Sequence, residues 1–198
     1  MVMFRTYDSL GTLRLLFSYL YTKLFFPQAR LIRLPFDIRN KKFIKIGKKF
    51  TCGFGCRIEA FPQSDVVGPC ISFGDNVQMN DYVHIGSVGS ITIGNNVLMA
   101  SKIYITDHNH GSYTELMSDH PLSIPEARRA VSKPVIIEDN VWIGESVCVL
   151  PGVTIGKGCV IGALSVVSKS IPPYSIAVGS PAVVIKQFNF TTSKWEKC

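Results

Sequence analysis

The stretch VIIEDNVWIGESVCVLPGVTIGKGCVIGALSVV, residues 135–167, decides the fold. Every sixth residue from Ile137 is a branched aliphatic, in the order Ile143, Val149, Ile155, Ile161 and Val167. Val141, Val147 and Val153 stand two places before members of that series, and Gly144, Gly156 and Gly162 directly after them. Working outward, the rhythm runs through Phe73, Met79 and Ile85, and again through Ile93, Met99 and Ile105, with Gly74 and Gly94 in the glycine position. A two-residue slip around Gly86 and Gly89 separates these two upstream runs. A period of six excludes an amphipathic helix, whose apolar face returns every three to four residues. The regular Gly, Asn and Asp residues exclude one long strand. Short strands joined by tight corners, three to a turn, satisfy the pattern. The expected fold is an all-β solenoid with aliphatics stacked inside, in which each turn covers its neighbour's apolar face.

Three regions depart from the repeat. Residues 1–42 form a helical and basic segment. Leu10, Leu13, Leu16, Phe17, Leu20 and Leu24 recur at helical spacing before Pro27. They predict a helix that packs on the solenoid, on a partner chain, or peripherally on a membrane surface. Residues 107–134 carry three prolines and read as a long loop extruded from one turn, the kind of loop that is usually functional. Pro172–Pro173 ends the clean repeat. The expected domain therefore covers 43–186, with a tail at 187–198.

Composition narrows the function classes. Of 198 residues 46% are hydrophobic and 18% charged, which excludes disorder for most of the length. The net charge of +7 is uneven: residues 1–50 hold eleven Lys or Arg against Asp8 and Asp37, and the rest of the chain is slightly acidic. The basic end reads as a solvated face, or as attraction to phosphate or anionic membrane. No helix-turn-helix, zinc-finger or stacking-aromatic signature accompanies the charge, so no nucleic-acid partner is expected. The six cysteines show no CxxC pair and no zinc-ligand spacing. They read as small buried side chains in a reducing compartment, which points to the cytoplasm. The apolar stretch from Leu10 to Phe26 is broken by Arg14 and Lys23 and lacks a cleavage site, so neither a signal peptide nor a membrane span is expected.

The segments ITIGNNVLMA (91–100), DHNHG (107–111), 139–169 and IPPYSIAVGSPAVVIK (171–186) resemble the hexapeptide-repeat acyltransferases. The closest resemblance is to their sugar O-acetyltransferase branch. Within it, DYVHIG (81–86) together with DHNHG is similar to O-acetyltransferases of lipopolysaccharide and capsule biosynthesis. The resemblance implies a left-handed parallel β-helix, a homotrimer, a sugar or glycan acceptor, and acetyl-CoA bound in the cleft between subunits, with no metal required.

Acetyl transfer to a hydroxyl needs a base for the hydroxyl proton and donors for the developing oxyanion. Imidazole, with an ordinary pKa of about 6.5, suits the first task. The family's catalytic histidine, counted without gaps from Ile91, falls on His110, and its active-site asparagine falls on Asn80. His108 is the alternative base, and Asp107 a candidate to orient an imidazole or to cap the loop. Asp81 and His84 are candidates to line the acceptor side. Position-matched coenzyme A contacts are Glu145, Ala163, Ser168, Lys169 and Lys186. Glu145 departs from the small polar residue usual at its position. Trp142 reads as packing near the pantetheine arm or at a subunit interface. Other readings stay open: N-acetylation of an amino sugar or antibiotic, a carbonic-anhydrase-like metal site using His84, His108 and His110, or a non-catalytic scaffold.

Overall fold

The computed structural model describes residues 7–64 and 66–198. From Leu31 onward the chain visits three parallel sheets in a fixed rotation, laying one strand on each per circuit. One circuit runs Gln78–Met79, His84–Ser87, Ile91–Ile93, and the next runs Leu98–Met99, Tyr104–Thr106, Val135–Ile137. A third follows with Trp142–Ile143, Cys148–Val149 and Thr154–Ile155. The register aligns Met79, Met99, Ile143 and Ile161 in the first sheet. It aligns Ile85, Ile105, Val149 and Val167 in the second, and Phe73, Ile93, Ile137 and Ile155 in the third. All twelve are buried. The six-residue rhythm is thus the distance from one sheet to the next, and three columns of large apolar side chains run through the core. Each such side chain contributes about 1.5–3 kcal/mol on burial.

The corners explain the polar residues of the repeat. Between the third and first sheets Asn76, Asn96 and Asn140 sit in the left-handed region, at φ 58, 56 and 60°. Asn tolerates that conformation best among residues with a side chain. Their amides stack: Asn76 Nδ2 donates to Asn96 Oδ1 at 3.0 Å, and Asn96 Nδ2 to Asn140 Oδ1 at 3.2 Å. Where a glycine follows a register residue it keeps successive circuits close, because a Cβ on Gly74 would meet the Gly94 carbonyl carbon at 2.7 Å.

At the N-terminal end the helix α1 (Ser9–Phe25) starts at Asp8, whose side chain accepts from Gly11 N at 2.7 Å. The face it turns to the body is Leu15, Ser18 and Thr22. Thr22 Oγ1 accepts from Ile32 N at 2.8 Å, and Ser18 Oγ from Leu34 N at 3.1 Å. These hydroxyls satisfy backbone donors at and just beyond the first strand, Leu31–Ile32, where no earlier circuit exists to do so. Of the three partners expected for Leu10, Leu13, Leu16, Phe17, Leu20 and Leu24, the body of the winding is excluded: these side chains face away from it, because hydrogen bonding to the exposed end selected the smaller, polar side. Among the described residues no helix is long and apolar enough to cross a membrane.

The boundary expected at 42/43 falls inside the winding, since Phe36–Arg39 already pairs with Cys56–Ala60 in the second sheet. The segment expected as a tail is a hairpin. Val183–Asn189 and Lys194–Lys197 add two antiparallel strands to the first sheet. Cys52, Cys56, Cys70 and Cys159 are buried as expected, whereas Cys148 is half-buried and Cys198 exposed.

Candidate active site

The slip in the repeat has a structural content. Where the chain passes from His84–Ser87 to Ile91–Ile93 it makes a wide corner, and the next circuit places Asp107 against it. Asp107 is fully buried. Its Oδ2 accepts from Ser87 Oγ at 2.7 Å and Gly89 N at 2.8 Å, and its Oδ1 from Val88 N at 3.0 Å. His108 Nδ1 lies 3.0 Å from Oδ1. Burial on its own would raise this carboxyl. The His108, Ser87, Val88 and Gly89 hydrogen bonds outweigh it and hold Asp107 below the usual carboxylate range. Donation from Nδ1 leaves Nε2 of His108 as the ring's acceptor nitrogen. His108 Nδ1 is also 3.2 Å from Thr106 Oγ1.

His110 is exposed, its ring centre 6.1 Å from that of His108. Its position is set through the backbone. Tyr113 Oη donates to the His110 carbonyl at 2.6 Å and accepts from Arg128 Nη1 at 2.8 Å. The expected loop at 107–134 is thus a built element. His108–His110 and Ala130–Ser132 form an antiparallel ribbon, and Arg128 also reaches the Ser123 carbonyl at 2.7 Å. Ser87, Thr106, Tyr113 and Arg128 were not singled out from sequence. The slip at Gly86–Gly89 was the signal for the first of these, and the loop's tyrosine and arginines carried none.

His84 lies on the outer face of the second sheet. Its Nε2 is 2.8 Å from Glu59 Oε1, Arg57 Nη2 is 3.1 Å from its Nδ1, and its ring centre is 5.1 Å from that of Tyr104 in the next circuit. With Arg57, Phe36 and Tyr82 it lines a groove of about 430 Å³.

One chain does not bring all the candidates together. Asn80 stands at the corner before the second sheet and Asp107–His110 at the corner after it. At ~3.3 Å per extended residue, these ends are on the order of 15 Å apart. Asp81 is engaged by the preceding circuit: its Oδ1 accepts from Phe54 N at 2.8 Å. Glu145 and Ala163 share the Asn80 edge, where Leu164 N donates to the Glu145 carbonyl at 2.8 Å and Glu145 Oε2 accepts from Ser101 N at 3.3 Å. Ser168 and Lys169 follow the strand Val166–Val167 at the opposite edge, and Lys186 lies on the strand Val183–Asn189. Among the described residues no three His, Cys, Asp or Glu side chains converge as metal ligands.

Residues 134–169 match the family described as "Bacterial transferase hexapeptide (six repeats)". WbbJ of Escherichia coli (strain K12), named as a candidate lipopolysaccharide biosynthesis O-acetyl transferase, is 47% identical over 98% of this chain and 96% of its own length. The galactoside O-acetyltransferase of the same organism is 38% identical over 62% of this chain and 56% of its own length. Among solved structures, a variant of AntD, an N-acyltransferase from Bacillus cereus in complex with dTDP-4-amino-4,6-dideoxyglucose and coenzyme A, superimposes with a TM-score of 0.66. That match is 21% identical and covers 83% of this chain and 84% of AntD, so it speaks to the fold. With a near-full-length relative at this identity, the chain belongs to the bacterial hexapeptide-repeat transferases, as an acetyltransferase of that family.

Proposed function

We propose that this chain transfers acetyl from acetyl-CoA to a hydroxyl of a surface-polysaccharide sugar or its precursor, as a cytoplasmic homotrimer of left-handed β-helices. The observation that carries the reading is the corner at 106–110. There a buried carboxylate holds one imidazole and leaves a second open beside it. The O-acetyl chemistry is supported by the relatives at 47% and 38% identity, both named for O-acetyl transfer. The cytoplasmic placement is supported by six free cysteines and by the acetyl-CoA such an enzyme consumes.

In this reading His110 takes the acceptor's hydroxyl proton as the oxygen attacks the thioester carbonyl. The Asn80 amide of a neighbouring subunit donates to the oxyanion. Collapse breaks the C–S bond, the proton passes from the imidazolium to the departing sulfur, and an acetyl ester and coenzyme A remain. Lys169 and Lys186 supply cations for the donor's phosphates, and the backbone around Glu145, Ala163 and Ser168 lines its pantetheine arm. The groove beside His84 receives the acceptor. Assembly is supported by the distance between Asn80 and His110 within one chain, and by an outward apolar column on the first sheet, in which Leu98 and Trp142 are exposed and Val160 and Ile176 half-buried.

A second assignment, His108 as base, is favoured by its contact with Asp107, which fixes the tautomer a base requires.

Pure protein mixed with acetyl-CoA and a panel of sugars tests the reading. The expected result is acceptor-dependent thiol release and a hydroxylamine-labile product. A hydroxylamine-stable amide would move the activity to N-acetylation, and no release above buffer with any glycan would sink the proposal.

A further inference from the structure

The outward side of α1 is a surface the acetyl-transfer chemistry does not use. At ~100° per residue, Leu10, Leu13, Leu16, Phe17, Leu20 and Leu24 fall in one stripe roughly 120° wide, which Ser9 enters at the first residue of the helix. These six are 48–74% exposed, and the stripe lies opposite the side that meets the body, Leu15, Ser18 and Thr22. The stripe therefore points to open solvent with no part of the winding in its way. One border carries Tyr19 and Lys23, whose Nζ donates to the Ala29 carbonyl at 3.3 Å, and the other carries Arg14, with Tyr21 beside it packing toward the core. No acidic residue occurs between Ser9 and Phe25. At the C-terminal end Lys41 Nζ donates to the Phe25 carbonyl at 2.9 Å, which adds another cation at the end of the helix.

We infer that this face docks the enzyme on an anionic membrane surface, with α1 lying in the plane of the bilayer. Charge selects this occupant. The first 50 residues carry eleven Lys or Arg against Asp8 and Asp37, and Asp8 is already engaged in capping the helix. A second copy of the chain seated on the stripe would bring the same cations face to face. An anionic lipid surface neutralises them while its acyl region takes up the leucines. Tyr, Lys and Arg at the borders suit the interface between these zones, since each has an apolar stem and a polar tip. At ~1.5 Å per residue, the 17-residue helix is about 25 Å long and rests on the surface instead of crossing it. This inference does not depend on which hydroxyl or amine the enzyme acetylates.

The test is co-sedimentation of the full chain with vesicles of phosphatidylcholine alone and of equal parts phosphatidylcholine and phosphatidylglycerol. The protein is expected to pellet with the mixed vesicles, weakly with the neutral ones, and less as salt is raised. Leu16→Gln with Leu20→Gln should lower the bound fraction by about tenfold or more. Molar mass by light scattering and turnover of a water-soluble acceptor should stay unchanged, because both side chains face away from the body. Arg14→Gln with Lys23→Gln should remove most of the preference for the anionic vesicles. Equal binding by the leucine variant and the parent, or no binding to mixed vesicles, would overturn the inference. So would a change in molar mass, which would assign the stripe to a contact between subunits.

Discussion

Asp107 holds His108, with Oδ1 and Nδ1 3.0 Å apart, whereas the ring of His110 two residues later extends into the open. The two imidazoles therefore carry different burdens. His110→Ala should lower kcat by about 100- to 10,000-fold, the usual range for a lost general base, with the thermal midpoint unchanged. His108→Ala should lower the midpoint, because Asp107 loses a donor, and reduce kcat by a smaller factor. Steady-state kinetics and thermal unfolding on both variants decide the matter. The reverse ranking of the two kcat losses would transfer the base to His108.

The carbonyl of His110 is anchored by Tyr113 Oη, itself held by Arg128. Tyr113→Phe removes both hydrogen bonds of that hydroxyl, to the His110 carbonyl and from Arg128, while keeping the ring. A net loss of about 1 kcal/mol in positioning corresponds to roughly a fivefold fall in kcat. KM for acetyl-CoA should stay near the parent value, since the donor does not meet this side chain in the proposed arrangement. A rise in KM alone, with kcat intact, would place Tyr113 in the donor site instead.

Acid sensitivity should follow Asp107. Its carboxyl is held below the ordinary range in the folded chain, so its contribution to stability is present above that range and disappears as pH falls through the folded value. The parent's thermal midpoint should therefore drop on acidification below about pH 4. Asp107→Asn should unfold more easily at neutral pH, by about 1–3 kcal/mol, because its NH2 group faces donors that the carboxylate accepted. Its midpoint should also change less across the acid range. An Asn variant with the parent's acid profile would show that this carboxylate does not govern it.

The register makes neighbouring isoleucines unequal. Ile137 is fully buried in the third column, and Ile136 points outward from the same strand. Ile137→Ala should cost about 2–5 kcal/mol, whereas Ile136→Ala should stay within about 0.5 kcal/mol. Denaturant titration of the two variants reads this directly, and similar losses would mean a different register.

The columns were legible in the sequence because each buried position recurs at a fixed interval and excludes polar residues. Less could be read of α1, whose leucines satisfy a helical pattern equally well facing in or out. The orientation was settled by Ser18 and Thr22, through hydrogen bonds to backbone 10–16 residues away. The cradle around Asp107 was half legible. The slip at Gly86–Gly89 marked the place, but two of its donors are backbone N–H groups, which leave no signature in residue identity. Arg128 escaped for another reason: its partners lie 5 and 15 positions away in a loop with no period to betray their approach.

Asn80 and His110 lie at opposite ends of the second sheet, and on the order of 15 Å of extended backbone between those ends is too much for both to act on one acetyl group within a single chain. A site that uses both must take each from a different subunit. Asn80→Ala and His110→Ala variants, each nearly inactive alone, should then rescue one another when unfolded together and refolded as mixed assemblies. With random assembly from equal amounts, one subunit boundary in four joins an intact Asn80 to an intact His110, so activity should return to about a quarter of the parent's. Mixing the folded variants without refolding should give no recovery, which controls for contaminating enzyme. If refolded mixtures stay as inactive as their components while the parent recovers under the same conditions, the two residues do not meet across a subunit boundary. The role given to Asn80 would then have to pass to a group on the His110 edge.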